Sequence, residues 1–402
     1  MNWLMTDMNS YFASVEQHLR PELRGRPVGV IPVQTDSTCV IAASYDAKRC
    51  GVKTGTGVRD ARRLCPGIIL VKARPQIYVQ MHHRILQSVD KCAEVHRVYS
   101  IDEWTVRLRG VEKHPEQALK IGREIKTRIL EDFGPWMSCS IGIAPTRLLA
   151  KIASNLQKPN GLTVLSVDDM PGRVEHLTLK DLCGISDGML ARLNAHGIQN
   201  IRELWDASRD EAVRIWGSVS GAHWWAGFHG HDEPEVATSR HSMSHGNVLE
   251  PRFRNEEGAC GIMARLVCKL GQRLRRDGYL ARSLRISTKD ERGGRFTEET
   301  DLPSVNDTTT LLQEFYKLCR RRAPSSRQIK KVDVCVAGLV LVSQVPRPLF
   351  AEIAKLQKLS EAIDAINTRW GASTVYFGPV HHYRQLMDNK IAFGRIPDEV
   401  ES

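Results

Sequence analysis

The sequence opens with MNWLMTDMNSYFASVEQ (residues 1–17), and the fold can be worked out from this stretch. An apolar run leads directly to the carboxylate of Asp7, and the aromatic side chains of Tyr11 and Phe12 follow. The run is typical of a short buried strand, and residues 10–19 are typical of a helix. A carboxylate at the end of a buried strand is costly to desolvate unless a cation compensates it. The pattern therefore indicates a functional site.

A second acidic stretch, VYSIDEW (residues 98–104), places Asp102 and Glu103 side by side at the end of another apolar run, which predicts a strand or hairpin. Neighbouring carboxylates in a packed sheet repel one another. Two Mg²⁺ ions would compensate them, since Mg²⁺ prefers carboxylate and phosphate oxygens. Two such ions about 3.5–4 Å apart stabilise both the attacking and the leaving oxygen of a phosphoryl displacement. A two-metal site is therefore one interpretation of the pair, and the alternative is a pair of acids on a solvated surface.

Composition places the chain among ordinary globular proteins: it has 402 residues, of which 42% are hydrophobic and 26% charged. That length predicts two to four domains. The sequence contains neither a run of roughly 18 apolar residues nor a signal-peptide pattern. None of the ten cysteines is spaced as C-x-x-C, so we expect buried thiols in a reducing compartment. These features predict a cytoplasmic protein that does not enter a membrane.

The sequence changes character along its length. Residues 1–165 mix strands and helices without strict alternation, which predicts an α+β sheet domain. Residues 166–235 are mostly helical, and a polar segment at 233–240 is typical of a linker. Residues 241–343 have the order β-α-β-β-α-β, a recognised compact motif. The tail, 344–402, contains one more helix and a loop-rich end.

The positive charge is concentrated in one of these segments. Residues 241–343 contain 19 Lys and Arg against 12 Asp and Glu, so they carry +7 of the net charge of +11. Such an excess is compatible with nucleic acid, anionic lipid or acidic proteins as partners.

Four motifs taken together resemble one family. TDMNSYFASVEQ, VIAASYDAKRCGVKTG, VYSIDEW and NLQKPNG have the order and spacing seen in Y-family (translesion) DNA polymerases, over roughly residues 1–343. The resemblance is greatest to the bacterial UmuC/DinB branch. Within that branch, Asn9 resembles the residue of the UmuC members at this position. It implies an α+β, multidomain, right-hand polymerase. Its parts would be a palm at 1–10 and 75–165, fingers at 11–74, an all-helical thumb at 166–235, a little finger at 241–343, and a tail at 344–402 that holds a candidate clamp-binding peptide.

The resemblance also implies roles for residues of the site. Asp7, Asp102 and Glu103 would be the catalytic acids and the ligands of two Mg²⁺ ions, together with the main-chain carbonyl of Met8. Phe12 would be a steric gate that excludes a ribose 2′-hydroxyl. The predicted nucleotide-binding residues are Phe12, Tyr11, Tyr45, Lys48, Arg49 and Lys158.

Some of these residues have a second interpretation. Phe12 also fits a core aromatic at the start of a helix, and Lys48 and Arg49 also fit a solvated surface. Lys48 stands where many members have arginine. Trp104 stands where the family usually has alanine, and its indole either crowds the metals or packs under the sheet.

DNA contacts are expected in the thumb and the little finger. CGISDG resembles a helix-hairpin-helix loop that binds phosphate through main-chain N–H groups, with Gly184 and Gly188 retained but Ser186 in place of a glycine. Backbone contacts by cations are independent of sequence, as a template-directed enzyme requires. The predicted DNA-binding residues of the little finger are Arg273, Arg275, Arg276, Arg282, Arg285, Arg320, Arg327 and Lys330.

A peptide after the little finger resembles the clamp-docking peptide of polymerases. Gln344, Leu349 and Phe350 match it, whereas Arg347 replaces a residue that is usually apolar. The alternative is an ordinary connector. The sliding clamp and UmuD-like subunits are therefore candidate partners, besides primer-template DNA and dNTPs.

The function predicted from these features is low-fidelity, template-directed DNA synthesis without proofreading, acting in DNA damage tolerance and the SOS response. The alternative is a non-catalytic accessory protein of the same fold that binds DNA and recruits other polymerases. A nucleotide cyclase would share the acids but would have no use for the basic module.

Overall fold

The computed structural model describes residues 1–234, 240–321, 328–345 and 351–384. They belong to two compact units, unit 1 up to residue 234 and unit 2 from residue 240. Each unit has its own hydrophobic core. Arg327, Leu349 and Phe350, which the sequence predicts as binding residues, lie outside the described residues.

Unit 1 contains eight strands and ten α-helices within its described residues. The strands are β1 Trp3–Met8, β2 Val28–Ile31, β3 Ala42–Ala43, β4 Ile69–Lys72, β5 Val95–Ser100, β6 Glu103–Arg107, β7 Cys139–Ala144 and β8 Leu162–Val164. The helices are α1 Tyr11–Leu19, α2 Tyr45–Arg49, α3 Val58–Leu64, α4 Pro75–Val89, α5 Pro115–Phe133, α6 Arg147–Leu156, α7 Asp187–Ala195, α8 Ile201–Asp206, α9 Arg209–Trp216 and α10 Ser220–Phe228.

The main sheet of unit 1 has the order β5-β6-β1-β7-β8, so β1 lies at its centre. β1 pairs antiparallel with both β6 and β7. Because side chains alternate across a strand, Leu4 and Met8 face the core that also contains Tyr78 of α4 and Ile125 of α5. Asp7 faces the opposite side of the sheet, which α6 covers.

Helix α6 lies unusually close to the sheet. The helix begins after Thr146, whose hydroxyl accepts a hydrogen bond from the main-chain N–H of Leu149 at 3.2 Å, as an N-cap residue does. A Cβ atom on Gly142 of β7 would lie 2.0 Å from the carbonyl oxygen of Ala150. Only glycine allows this approach, and α6 is therefore held directly over the central strands.

A smaller sheet is formed by β2, β3 and β4 in the order β3-β2-β4. β2 pairs antiparallel with β3 and parallel with β4. Helices α2 and α3 share a separate core with it, which includes Val40, Ala47 and Val58.

The helical segment α7–α10 packs on the side of the main sheet that carries α6. Its Leu193 and Phe228 belong to one core with Met5 and Leu149. Asp232, just after α10, accepts hydrogen bonds from the indole N–H of Trp3 at 2.6 Å and from Arg107 at 2.5 Å. The end of this segment is thereby tied to β1 and β6.

Unit 2 has the predicted order β-α-β-β-α-β. Its elements are β9 Ser242–Val248, α11 Glu256–Arg276, β10 Tyr279–Asp290, β11 Arg295–Val305, α12 Thr308–Arg320, β12 Ile329–Ala337, β13 Val340–Leu341 and α13 Ala351–Trp370. The four long strands form a sheet in the order β11-β10-β12-β9. Leu270 of α11 and Phe315 of α12 pack with Val334 on one face of this sheet.

Candidate active site

The three predicted acids lie close together in the main sheet of unit 1, where the end of β1 meets the start of β6. Asp7 is the last residue but one of β1 and lies opposite Glu103 in the β1–β6 pair. Asp102 occupies the turn between β5 and β6, where its carbonyl accepts a hydrogen bond from the N–H of Met8 at 2.8 Å. The sequence predicts a strand or a hairpin for this stretch, and the structure has the hairpin: β5 and β6 pair antiparallel, and Glu103 is the first residue of β6. The turn of this hairpin brings the pair to Asp7.

The electrostatics of this group follow from burial and crowding. Burial and the carboxylates of Asp7 and Glu103 raise the pKa of Asp102 to about 6, against the hydrogen bond that Ser100 donates to it at 2.5 Å. The ionised form of Asp102 is therefore unfavourable unless cations lie nearby.

Two lysines offset the repulsion between the acids. The ammonium group of Lys151 donates to Asp7 and also to Glu103, to the latter at 2.7 Å. The ammonium group of Lys158 lies 2.7 Å from the same Asp7 oxygen. Burial lowers the pKa of Lys151, but the carboxylates of Asp7 and Glu103 outweigh it and raise that pKa well above its ordinary value.

Sequence reasoning missed Lys151. The available signal was a single charged residue inside the apolar helix-forming run LLAKIAS, seven residues before Lys158. A lysine there is expensive to bury unless an acid faces it. Identifying that acid needed the packing of α6 over β1, which the sequence pattern does not reveal.

The donor set fits a divalent metal. Three carboxylates and a nearby main-chain carbonyl are hard oxygen ligands of the kind that Mg²⁺ selects. The two ammonium groups show that cations are stabilised at this position. Among the described residues, however, no group of three acidic, imidazole or thiol side chains is arranged to chelate a metal as it stands.

Phe12 and Tyr11 start α1 directly after β1. The ring of Phe12 stacks on Tyr78 of α4 with centroids 4.5 Å apart and an interplanar angle of 17°. Tyr11 is 3% exposed and donates its hydroxyl to the carbonyl of Tyr78 at 2.7 Å. The hydroxyl of Tyr11 therefore belongs to the core that supports Phe12, and a contact between Tyr11 and a nucleotide stays a prediction for the rest of this residue.

Tyr45 and Lys48 lie at the same site. The hydroxyl of Tyr45 donates to Asn9 at 3.4 Å, and burial and Asp7 raise the pKa of Tyr45 to about 12. The ammonium of Lys48 lies 4.5 Å from the centre of the Tyr45 ring. Burial and the charge of Lys158 lower the pKa of Lys48, against the carboxylate of Asp7, which raises it.

Arg49 and Trp104 are placed differently. Arg49 is exposed on α2 and forms an ion pair with Asp46, so the surface interpretation holds for it. Trp104 is fully buried and lies in the core on the face of β6 opposite Glu103. Its indole packs under the sheet and does not crowd the acids.

The predicted helix-hairpin-helix loop precedes α7. Gly184 has a φ of +91°, and the indole of Trp224 donates to the carbonyl of Cys183 at 3.2 Å beside it. Gly188 lies in the first turn of α7. Ser186 is the N-cap of α7, and its hydroxyl accepts from the N–H of Met189 at 3.4 Å. That N–H is already engaged within the protein.

Most predicted DNA-binding cations of unit 2 lie at the surface, but Arg275 does not. Its guanidinium is 8% exposed and forms two hydrogen bonds with Asp364 of α13, at 2.6 and 3.0 Å. It also donates to the carbonyl of Asn306. These partners occupy the donors of Arg275 in the fold, which disfavours its predicted contact with DNA. Arg273 is partly buried, and the exposed members of the set are Arg276, Arg282, Arg285, Arg320 and Lys330.

Two family models match the chain. The model of the impB/mucB/samB family matches residues 6–155, and the model of its C-terminal domain matches residues 240–348. The first match contains the three acids, and the second contains the β-α-β-β-α-β order. The chain belongs to this family, the Y family of DNA polymerases.

Curated relatives narrow the placement to the DinB-like branch. The chain is 34% identical to DNA polymerase IV of Moorella thermoacetica, over 93% of this chain and 94% of the relative. It is 26% identical to DNA polymerase IV 1 of Bacillus subtilis, over 92% and 91%. The protein is thus a DNA-directed DNA polymerase of the translesion type. No match supports the alternative of a non-catalytic accessory protein.

Solved structures agree on the fold. A Y-family DNA polymerase chimera has a TM-score of 0.70 at 23% identity and covers 85% of this chain and 100% of its own. DinB from Sulfolobus solfataricus covers the same shares at a TM-score of 0.54. The predicted α+β, multidomain polymerase fold is confirmed. Among the described residues, no helix is long and apolar enough to cross a membrane.

Proposed function

We propose that the chain adds dNTPs to a primer 3′-hydroxyl at the site formed by Asp7, Asp102 and Glu103. The observation that supports this most directly is the convergence of these acids with Lys158, Tyr45 and Lys48 on one edge of the main sheet. Carboxylates beside lysines and a phenol suit a reaction that joins metal-bound oxygens to a triphosphate.

Asp7, Asp102, Glu103 and the Met8 carbonyl would hold two Mg²⁺ ions. Those ions, when bound, acidify the primer hydroxyl and neutralise the charge of the triphosphate and the leaving pyrophosphate. The contribution of the chain is to keep the carboxylates on rigid elements. Asp7 is fixed by pairing on both sides of β1, and Asp102 by the hydrogen bond between its carbonyl and Met8.

The nucleotide would lie between α1 and α2. Lys48 and Lys158 offer ammonium donors to the triphosphate, and Tyr45 offers a hydroxyl. The ring of Phe12, held by Tyr78, would occupy the space that a ribose 2′-hydroxyl needs. Such a ring discriminates by steric exclusion, which works only if the ring cannot move aside.

DNA would be gripped through its backbone by the helical thumb and the basic little finger. We assign the palm to residues 1–10 and 75–165, the fingers to 11–74, the thumb to 166–235 and the little finger to 241–343. Exposed cations such as Arg282 and Lys330 suit sequence-independent phosphate contacts.

Further partners are proposed from sequence. Gln344 lies in a short 3₁₀ turn, and it would begin the peptide that docks on the sliding clamp. UmuD-like subunits are a second candidate. The cytoplasm is the proposed compartment, which is supported by ten cysteines that are all free thiols.

Primer extension with Asp102→Ala tests the proposal. We expect Mg²⁺-dependent addition of dNTPs by the wild-type chain and none by this variant, with DNA affinity nearly unchanged because the backbone contacts lie elsewhere. Asp168→Ala is a matched control, since Asp168 is an exposed acid outside the site. Normal extension by Asp102→Ala would contradict the site.

A further inference from the structure

Lys151 occupies an unusual position for a cation in a metal-dependent enzyme. Its ammonium group bridges Asp7 and Glu103, which lie on different strands, and its side chain is 15% exposed. Asp7 accepts from Lys151 and Lys158 on one and the same oxygen. The carboxylates that should attract divalent ions are therefore already neutralised in large part by the chain itself.

Lys158 and Lys151 differ in how easily their ammonium groups can move away from Asp7. Lys158 follows the end of α6 and is more exposed, so it can turn toward a triphosphate. Lys151 lies in the middle of α6, and α6 is held against β7 at Gly142, where even a Cβ atom would collide with Ala150. The backbone of Lys151 is therefore fixed close to the acids, and its side chain is less exposed than that of Lys158.

We infer that Lys151 is a built-in counter-cation that keeps the free enzyme from loading divalent ions until a nucleotide arrives. Two ammonium groups against three carboxylates leave about one net negative charge, too little to hold two divalent ions. An incoming triphosphate supplies several further negative charges and oxygen ligands, and it withdraws Lys158 from Asp7. This inference rests on the proposed function of the site.

The orientation of the carboxylate oxygens supports the inference. The contacts with Lys151 and Lys158 turn one oxygen of Asp7 and one oxygen of Glu103 toward ammonium groups.

The opposite role, in which Lys151 promotes metal binding, predicts a different change in metal affinity. A lysine that orients carboxylates for the metal would raise metal affinity, as hydrogen-bonding partners behind metal ligands do. A counter-cation lowers it by repulsion and competition. The sign of the change in affinity on removing the charge of Lys151 therefore decides between the two.

The test is Mn²⁺ binding to the full chain without DNA or nucleotide, followed by the electron paramagnetic resonance signal of free Mn²⁺. We expect Lys151→Met to bind Mn²⁺ about tenfold more tightly than wild type. Lys151→Arg should restore weak binding because it keeps the charge. Lys120→Met, at an exposed lysine of α5, is the matched control and should behave as wild type. Unchanged or weaker binding by Lys151→Met would overturn the inference.

A second variant covers the case in which Lys151→Met does not fold. Lys151→Gln removes the charge but keeps an N–H donor for Asp7 or Glu103, and it should also tighten Mn²⁺ binding. Primer extension by Asp102→Ala separates the two proposals. If Asp102→Ala is inactive and both neutral variants bind Mn²⁺ no more tightly than wild type, the counter-cation role fails while the site assignment stands.

Discussion

At the scale of single residues, Phe12 has two interpretations from sequence, a core aromatic and a steric gate. The ring is 9% exposed and stacks on Tyr78, whose carbonyl is also bonded by Tyr11. Phe12 is thus a core residue in the first turn of α1, the helix that follows the strand of Asp7. Its two interpretations from sequence describe the same side chain, because a ring can exclude a hydroxyl only if the core holds it in place.

We predict that Phe12→Ala admits ribonucleotides. Removal of the ring opens the space beside the sugar, so discrimination against rNTPs should fall by at least about tenfold. Single-nucleotide incorporation kinetics with dCTP and CTP measure this ratio. Tyr11→Phe is the control, since it deletes a buried hydroxyl but leaves the Phe12 ring. Sugar selectivity that stays at the wild-type level in Phe12→Ala would reject the gate.

At the scale of elements, the loop KPNG depends on a lysine from α5. The ammonium of Lys126 donates to the carbonyls of Cys139 at 3.0 Å, Asn160 at 2.7 Å and Gly161 at 3.2 Å. It also donates to the Asn160 side chain at 2.6 Å. One cation therefore ties the loop to β7 and positions Lys158 two residues earlier.

Lys126→Met should loosen this loop. It removes the donor that these partly buried carbonyls share, at a cost of about 1 kcal/mol in the free energy of unfolding. Because Lys158 then loses its position, KM for dNTPs should rise several-fold, with a smaller change in kcat. Steady-state kinetics measure both, and Lys120→Met on the same helix is the control. A KM equal to that of wild type would separate the loop from nucleotide binding.

Helix α4 is joined to the acidic hairpin through His82. Its ring lies 2.7 Å from the carbonyl of Ile101, and burial lowers its pKa from 6.5 to about 4. The unfolded chain therefore binds a proton more readily than the fold does. Stability from this group is complete above pH 6.5 and is lost as the pH falls toward 4.

Urea denaturation should reveal this dependence in unit 1. We expect His82 to reduce the free energy of unfolding by up to about 3 kcal/mol between pH 6.5 and pH 4. Tryptophan fluorescence reports on unit 1, which contains seven of the eight tryptophans. His82→Gln keeps a donor but takes up no proton, so its pH dependence should be flatter. An equally steep dependence in that variant would assign the effect to other groups.

At the scale of the whole molecule, the chain consists of two units, and the positively charged residues of unit 2 do not all have the same role. In unit 2, α13 is attached through the paired hydrogen bonds between Arg275 and Asp364 and through Ser360, whose hydroxyl accepts from the N–H of Thr308 at 3.1 Å. Some of the positive charge that suggests DNA binding therefore stabilises the unit itself.

Arg275→Met and Arg282→Met should differ accordingly. Arg275→Met breaks a largely buried pair and should lower the stability of unit 2 by about 3 kcal/mol, without changing the salt dependence of DNA binding. Arg282→Met should leave stability nearly unchanged and reduce the salt slope of DNA affinity by about one phosphate contact. Thermal unfolding and fluorescence anisotropy at several salt concentrations measure the two effects. A reduced salt slope in Arg275→Met would return that residue to the DNA interface.

Local sequence patterns are sufficient to predict many of the strands and helices of this protein and to single out its three acids. Apolar runs that end at Asp7 and before Asp102 predict strands from local pattern alone, and the order of unit 2 follows from periodicity and turn residues. Tertiary structure alone decided which cations meet which acids. Nothing in the neighbouring sequence distinguishes Lys151, Arg275 or Lys126 from other lysines and arginines. The acids that Lys151 contacts lie 48 and 144 residues away along the chain, and the acid that Arg275 contacts lies 89 residues away. An ion pair is set by the distance between charges in the folded chain, and local sequence patterns do not contain that distance.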